Sequence, residues 1–135
     1  MESVGLGPVG QIALRVHDVE GATAWYRDRL GLRHLFSAPT PGSGEAPGMT
    51  FFDCAGIRLL LGRPETEAED HPGSVVYFTV EDIAAVHEAL AARGVEFVET
   101  PTKVAELGEV ELWLAFFRDP WDNPLALMSE VPRRP

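Results

Sequence analysis

The sequence predicts an α+β fold of two tandem βαβββ modules forming a curved mixed sheet around a cleft, with helices outside. Three observations lead there. The chain matches itself: Val16-His17-Asp18-Val19 corresponds to Val80-Glu81-Asp82-Ile83, Gly31 to Gly94, and Phe51-Phe52-Asp53 to Phe116-Phe117-Arg118-Asp119. Such self-similarity marks a duplicated unit. Each half also passes from a period-two apolar pattern to a helical one and back to apolar runs, which reads as strand, helix, then strands. Finally, Phe116 to Met128 reads FFRDPWDNPLALM. Pro120 and Pro124 fix φ, and Asp119, Asp122 and Asn123 bond to nearby backbone, so a turn must join two strands there. One module alone would expose a sheet face, whereas two paired modules close around a cleft.

In residues 11–17, Ile12, Leu14 and Val16 form one face of a strand, and Gln11, Ala13, Arg15 and His17 form the other. Asp18 is placed to cap a helix in which Ala22, Trp25 or Tyr26, and Leu30 recur at helical spacing, and Gly31 is placed to end it. A strand is expected over 32–36. Residues 37–48 (SAPTPGSGEAPG) are rich in Pro, Gly and Ser, so a loop with a mobile tip is expected. Residues 49–54 and 57–62 read as a hairpin. Residues 1–9 are expected to be poorly ordered.

The second half repeats this scheme with a strand over 75–80. A helix opens at Glu81-Asp82, carries Ile83, Val86 or His87, and Leu90 on one side, and ends at Gly94. A strand is expected over 95–98, a loop over 100–108, and a closing hairpin of 110–118 with 124–128. Pro124 cannot donate to a ladder and should begin its strand. The tail 131–135 is expected to be loose. The whole is read as a single domain over 9–130, with module one about 9–63, a polar linker 63–74 (RPETEAEDHPGS) and module two about 74–130.

Composition narrows the function. At 135 residues the chain buries roughly two-thirds of its unfolded surface, enough for stability without staples. Its single cysteine, Cys54, allows no intramolecular disulfide, which suits a reducing, cytoplasmic setting. MESVGLGPVG has neither a basic start nor a long apolar core, so no leader is expected. No apolar run approaches the roughly 20 residues that span a bilayer, so no membrane partner is expected. Eleven basic against 21 acidic residues give a net charge of −10, which argues against nucleic acid. No Gly-rich loop follows a strand into a helix, and His17, His34, His71 and His87 match no metal spacing.

Trp25-Tyr26-Arg27-Asp28-Arg29-Leu30-Gly31-Leu32 is similar to the aromatic-Tyr-x-x-x-Leu-Gly motif of the vicinal oxygen chelate superfamily (glyoxalases, bleomycin-resistance proteins, extradiol dioxygenases). Asp119-Pro120-Trp121-Asp122-Asn123 resembles its Asp-Pro-x-Gly-Asn turn, with Asp122 in place of the usual glycine. With the duplication, the resemblance covers about 9–130. It implies the paired-module fold, and a homodimer in which modules pair within a chain or across two. It also implies four candidate metal positions, which fall on Gln11, Leu60, Val75 and Ala126. A divalent cation needs several converging oxygen or nitrogen donors, so no metal and no cofactor is expected. A Lewis-acid mechanism of glyoxalase or dioxygenase type then loses its basis.

Strand parity assigns the cleft Gln11, Ala13, Arg15, Arg58, Leu60, Val75, Tyr77, Thr79, Ala126 and Met128, joined by Trp113 and one of Phe116 or Phe117. Such an apolar, aromatic lining with few polar groups suits a small organic ligand. Arg15 and Arg58 either clamp a carboxylate or phosphate, or each pair with an acid of this chain. Gln11 is either a ligand-binding amide or a strand-end surface residue. Tyr77 offers a hydroxyl or packs, and Trp113 is a stacking platform or a core ring. The expected ligand-binding set is Gln11, Arg15, Arg58, Leu60, Tyr77, Trp113, Ala126 and Met128. The leading expectation is metal-independent binding of a small organic molecule, as in bleomycin resistance. A glyoxalase-type lyase or isomerase, or a dioxygenase-related enzyme, is the alternative, and a non-catalytic partner protein is the third.

Overall fold

The computed structural model describes residues 4–40, 42, 44 and 46–133. The element order is β1 (Gln11–Arg15), α1 (Val19–Asp28), β2 (Arg33–Ala38), β3 (Met49–Cys54), β4 (Ile57–Gly62), a 3-10 turn (Glu67–Glu69), β5 (Val76–Thr79), α2 (Ile83–Ala92), β6 (Thr102–Leu107), β7 (Val110–Arg118) and β8 (Pro124–Pro132). The βαβββ order therefore occurs twice, in an α+β fold. The chain divides into two compact units, Met1–His71 and Pro72–Pro135.

In the first unit the sheet order is β1-β4-β3-β2, with β1 parallel to β4 and the other pairs antiparallel. The short sequence code of α1 explains its ends. The Asp18 carboxylate accepts from Gly21 N at 3.0 Å, satisfying one orphan donor of the first turn. Gly21 gives that carboxylate room, because a Cβ there would lie 2.6 Å from Asp18 Oδ2. At the other end Gly31 adopts φ 72°, which turns the chain back so that Leu32 N donates to Tyr26 O at 3.1 Å and satisfies a carbonyl of the last turn. The Ala55-Gly56 turn between β3 and β4 has φ 53° and 98°, the doubly left-handed form that matches strand twist.

Register sorts side chains between the two faces of this sheet. Ile12, Leu59 and Phe52 lie side by side, as do Leu14, Leu61 and Thr50. This is the face that α1 covers, through Val19, Ala22 and Tyr26, and Tyr26, Phe52 and Leu61 are fully buried. The opposite face carries Gln11, Arg58 and Asp53 in one row and Ala13, Leu60 and Phe51 in the next.

The second unit has the order β5-β8-β7-β6 with the same pattern of parallel and antiparallel pairs. The Asp82 side chain accepts from Ala85 N at 3.0 Å at the start of α2, and Gly94 at φ 89° follows its end. The core is built from Ile83 and Leu90 of α2 with Ala115, Phe117, Leu125 and Leu127 of the sheet. Pro124 begins its strand opposite Arg118, where a missing N–H costs no interior bond.

The structure departs most from expectation at four places. β2 continues through Ser37 and Ala38, because both pair with β3. Residues 95–98 form no strand: Phe97 makes an isolated bridge to Phe117, and Val98 N donates to Phe116 O at 2.9 Å. The second partner strand is instead β6, inside the expected loop 100–108. Finally, β8 runs on to Pro132 against Val110, so Val131 belongs to the sheet; residues 134 and 135 of the expected tail lie outside the described residues. Residues 1–3 of the expected N-terminal tail and residues 41, 43 and 45 of the expected loop tip are also outside them. Among the described residues no helix is long and apolar enough to cross a membrane.

Candidate functional site

The first unit's face opposite α1 brings polar and aromatic groups together. Arg58 Nε donates to Gln11 Oε1 at 2.8 Å, bridging neighbouring strands β4 and β1. The Arg58 guanidinium carbon sits 5.3 Å from the centroid of the Phe51 ring, within cation–π range. Phe51 stacks in turn on Phe36 of β2, at 4.5 Å and 27°. Amide, guanidinium, buried ring and exposed ring thus follow one another across all four strands.

Arg15 has a different environment. Its Nε lies 2.9 Å from Asp70 Oδ1, and its side chain is 13% exposed. His17 Nε2 contacts the same oxygen at 2.7 Å. Asp70 follows the 3-10 turn in the stretch expected as a linker, and it folds that stretch back onto β1. The Arg15 charge is therefore answered within the chain, and of the two arginines only Arg58 keeps its fork away from a carboxylate.

The His17 hydrogen bond holds the Asp70 carboxyl below the usual carboxylate range, with the charges of His17 and Arg15 acting in the same direction. A depressed carboxylate adds stability above its unfolded pKa of about 3.9 and loses it as pH falls through the folded value. Wild-type stability is therefore expected to fall on acidification below about pH 4, and Asp70→Asn is expected to flatten that limb. Urea midpoints measured between about pH 3 and pH 7 provide the check; parallel curves for the two proteins would rule out this role for Asp70.

In the second unit, Tyr77, Ala126 and Phe116 lie in one row across β5, β8 and β7, and Thr79, Met128 and Leu114 in the next. Tyr77 is exposed and meets Phe116 edge-on at 6.0 Å. Of the two phenylalanines considered, Phe116 is the one on this face; Phe117 lies on the α2 side against Phe97. Trp113 does not join Tyr77, Ala126 and Met128. It pairs with Ser129, on the face of Phe117, Leu125 and Leu127, and its Nε1 donates to Glu111 Oε1 at 3.2 Å. The cause is register: Arg118 pairs with Pro124, which fixes even-numbered β7 residues, not odd ones, beside Ala126 and Met128. Val75 falls just before β5.

The donor set suits no divalent cation. Of Gln11, Leu60, Val75 and Ala126, only Gln11 carries a side-chain oxygen, and that oxygen already accepts from the Arg58 guanidinium. A cation at that oxygen would meet the fixed positive charge of Arg58. Cys54 is a half-buried thiol whose pKa is raised by burial, with the charge of Asp53 adding to it, which disfavours the nucleophilic thiolate.

Three contributors were missed in the sequence. Phe51 was findable, since an antiparallel hairpin closing at Ala55-Gly56 sets it beside Leu60. Phe36 was hidden by a bulge between His34 and Phe36. Asp70 lies in a polar stretch with no periodicity, and no sequence signal points to it.

The sequence model of the Glyoxalase/Bleomycin resistance protein/Dioxygenase superfamily matches residues 9–127. Among solved structures, a member of that superfamily from Sphaerobacter thermophilus is 23% identical at a TM-score of 0.77, over 93% of this chain and 98% of the other. Lactoylglutathione lyase from Agrobacterium tumefaciens is 19% identical at a TM-score of 0.73, over 93% and 95%. An integron cassette protein from the mobile metagenome of V. cholerae is 16% identical at a TM-score of 0.71, over 95% and 98%. At these identities the likeness is one of fold. A search of curated proteins returned no match.

Proposed function

The chain belongs to the Glyoxalase/Bleomycin resistance protein/Dioxygenase superfamily, and from that premise we propose that it binds a small organic molecule without a metal, in the manner of bleomycin-resistance proteins. The ligand is held on a sheet face opposite its unit's helix, and its capture sequesters it. One observation carries this reading. The four positions at which metal-dependent relatives place ligands are here Gln11, tied to Arg58, and the apolar Leu60, Val75 and Ala126. What the faces opposite the helices offer instead is ring surface, methionine and a few hydrogen-bonding groups, the mixture that suits an organic ligand.

The test is metal analysis of the purified protein, followed by thermal shift with nickel, zinc, manganese and ferrous ions, then with a library of antibiotics and aromatic acids. The expected result is no stoichiometric metal, no shift with any ion, and a rise in melting temperature with members of the library through linkage. Stoichiometric metal that Gln11→Ala removes would overturn the metal-free reading. It would favour the alternative, a glyoxalase-type lyase or isomerase, for which the structural likeness to a lactoylglutathione lyase supplies a fold and no ligands.

A further inference from the structure

We infer that the first unit's face opposite α1 takes a planar aromatic carboxylate, its acid group on Arg58 and its ring against the Phe36–Phe51 pair. This deepens the ligand-binding reading above and rests on it. The first support is electrostatic. In a chain with 21 acidic and 11 basic residues, carboxylates are plentiful, and many of the cations meet one. Arg15 meets Asp70, Arg27 meets Asp28, Arg118 meets Asp122, Arg133 meets Glu106, and Lys103 meets Glu106 and Glu111. Arg58 meets no carboxylate within 4.0 Å among the described residues. The acid directly across from it, Asp53, is turned elsewhere: Oδ1 accepts from Gly56 N at 3.1 Å, and Oδ2 lies 3.8 Å from Arg33 Nη2.

The second support is orientation. Gln11 Oε1 takes the Nε hydrogen of Arg58 and so pins the guanidinium. The two terminal nitrogens remain, and they form the parallel pair of donors that a carboxylate accepts bidentately. The cation lies over Phe51, so an acid group bound to it is held next to ring surface.

The third support is the backbone. In β2, His34 pairs with Phe52, and an unbroken ladder would then set Leu35 opposite Phe51. The bulge between His34 and Phe36 brings Phe36 there instead. Bulges re-aim side chains and are frequent beside functional sites. Here the device replaces an aliphatic chain with a ring that stacks on Phe51 yet stays 46% exposed. A large ring left half in water beside an acid-free guanidinium is the complement of a flat anion conjugated to an aromatic system.

The experiment uses the full chain and four probes: naphthoate, its neutral carboxamide, cyclohexanecarboxylate and inorganic phosphate. Binding is read by titration calorimetry for wild type, Arg58→Gln, Arg58→Lys and Phe36→Ala. Wild type is expected to prefer naphthoate to its amide by about tenfold or more, the difference a charge-assisted hydrogen bond makes over a neutral one, and to prefer it to phosphate, which has no ring to lay against Phe36 and Phe51. Arg58→Gln is expected to lose that preference while melting at the wild-type temperature, and Arg58→Lys to restore part of it. Phe36→Ala is expected to weaken naphthoate and leave the non-aromatic acid unchanged. Equal binding of acid and amide, or an Arg58→Gln variant that binds naphthoate normally, overturns the inference while ligand binding stands. Phosphate matching naphthoate overturns the aromatic part. Naphthoate that does not bind, while other library members raise the melting temperature, also overturns it. Failure of every probe and every library compound removes the ligand-binding reading as well.

Discussion

Phe52→Ala is expected to destabilise the protein by about 3–5 kcal/mol, the range for removing a fully buried ring. Phe52 is 0% exposed. Its ring lies 6.0 Å from Tyr26 of α1 and 5.3 Å from the His34 imidazole of β2, so it joins the helix to the far side of the sheet. Trp25 meets Tyr26 edge-on at 5.0 Å, extending the same cluster. Deletion leaves a void lined by these rings and by Leu59, its neighbour in register, and stiff aromatic walls collapse poorly into such a space. Urea denaturation followed by circular dichroism gives the number, from the shift in midpoint at constant slope. Phe36→Ala, in a ring that stands 46% exposed, is the matched control and should cost less than about 1 kcal/mol. A Phe52→Ala loss no larger than the control's would mean that the core around α1 closes over the gap.

That contrast also shows what was legible in the sequence. Phe51 and Phe52 are adjacent and chemically identical, and only alternation separates them into two faces. Where alternation was clean and a turn was marked, reading succeeded: β3 and β4 were bounded to the residue because Ala55-Gly56 closes them. The same logic failed at β6. Its residues, TKVAEL, are exposed except for a half-exposed Ala105, so no buried face imposes a pattern. Val95 and Phe97 attracted the strand prediction because they are apolar, but Val95 is buried beside the end of α2 and the half-buried Phe97 packs on His87, without a ladder. At the candidate site, Gln11, Arg58 and Leu60 follow from parity alone, since β1 and β4 have no bulge. Trp113 was misplaced because its face depends on the register across a turn, and the residue count from Arg118 to Pro124 settles it only once that pair is known. The anion assignment shifted for a reason invisible to pattern: two arginines on one face look equivalent until a distant aspartate neutralises one of them.

Asp119→Ala is expected to cost about 3 kcal/mol, because one buried carboxylate organises the whole turn between β7 and β8. Oδ1 accepts from Trp121 N and Asn123 N, each at 2.9 Å, and Oδ2 accepts from Asn123 Nδ2 at 2.7 Å. Asp119 and Asn123 are 5% and 1% exposed, so water cannot easily replace the acceptor that alanine removes. Hydrogen bonds to charged groups contribute about 1.5–3 kcal/mol each, and members of one network do not add fully. The turn also carries Asp122 at φ 67°, a conformation unfavourable for a side chain, and the Asp119 bonds help to hold it there. Asp119→Asn separates shape from charge. An amide oxygen still accepts from the two backbone N–H groups, and a flipped Asn123 amide meets the new NH2, so about half the loss should return. Urea midpoints of the three proteins decide the matter. A loss below about 0.5 kcal/mol in Asp119→Ala would show that Pro120 and Pro124 suffice to set the turn, leaving the carboxylate dispensable. A full loss in both variants would place the stabilisation in the charge itself. The predicted order, wild type above Asp119→Asn above Asp119→Ala, is the one in which the carboxylate acts as a template for the chain reversal. By fixing Arg118 opposite Pro124, that reversal sets Phe116 beside Ala126 and so composes the Tyr77–Ala126–Phe116 row of the second unit.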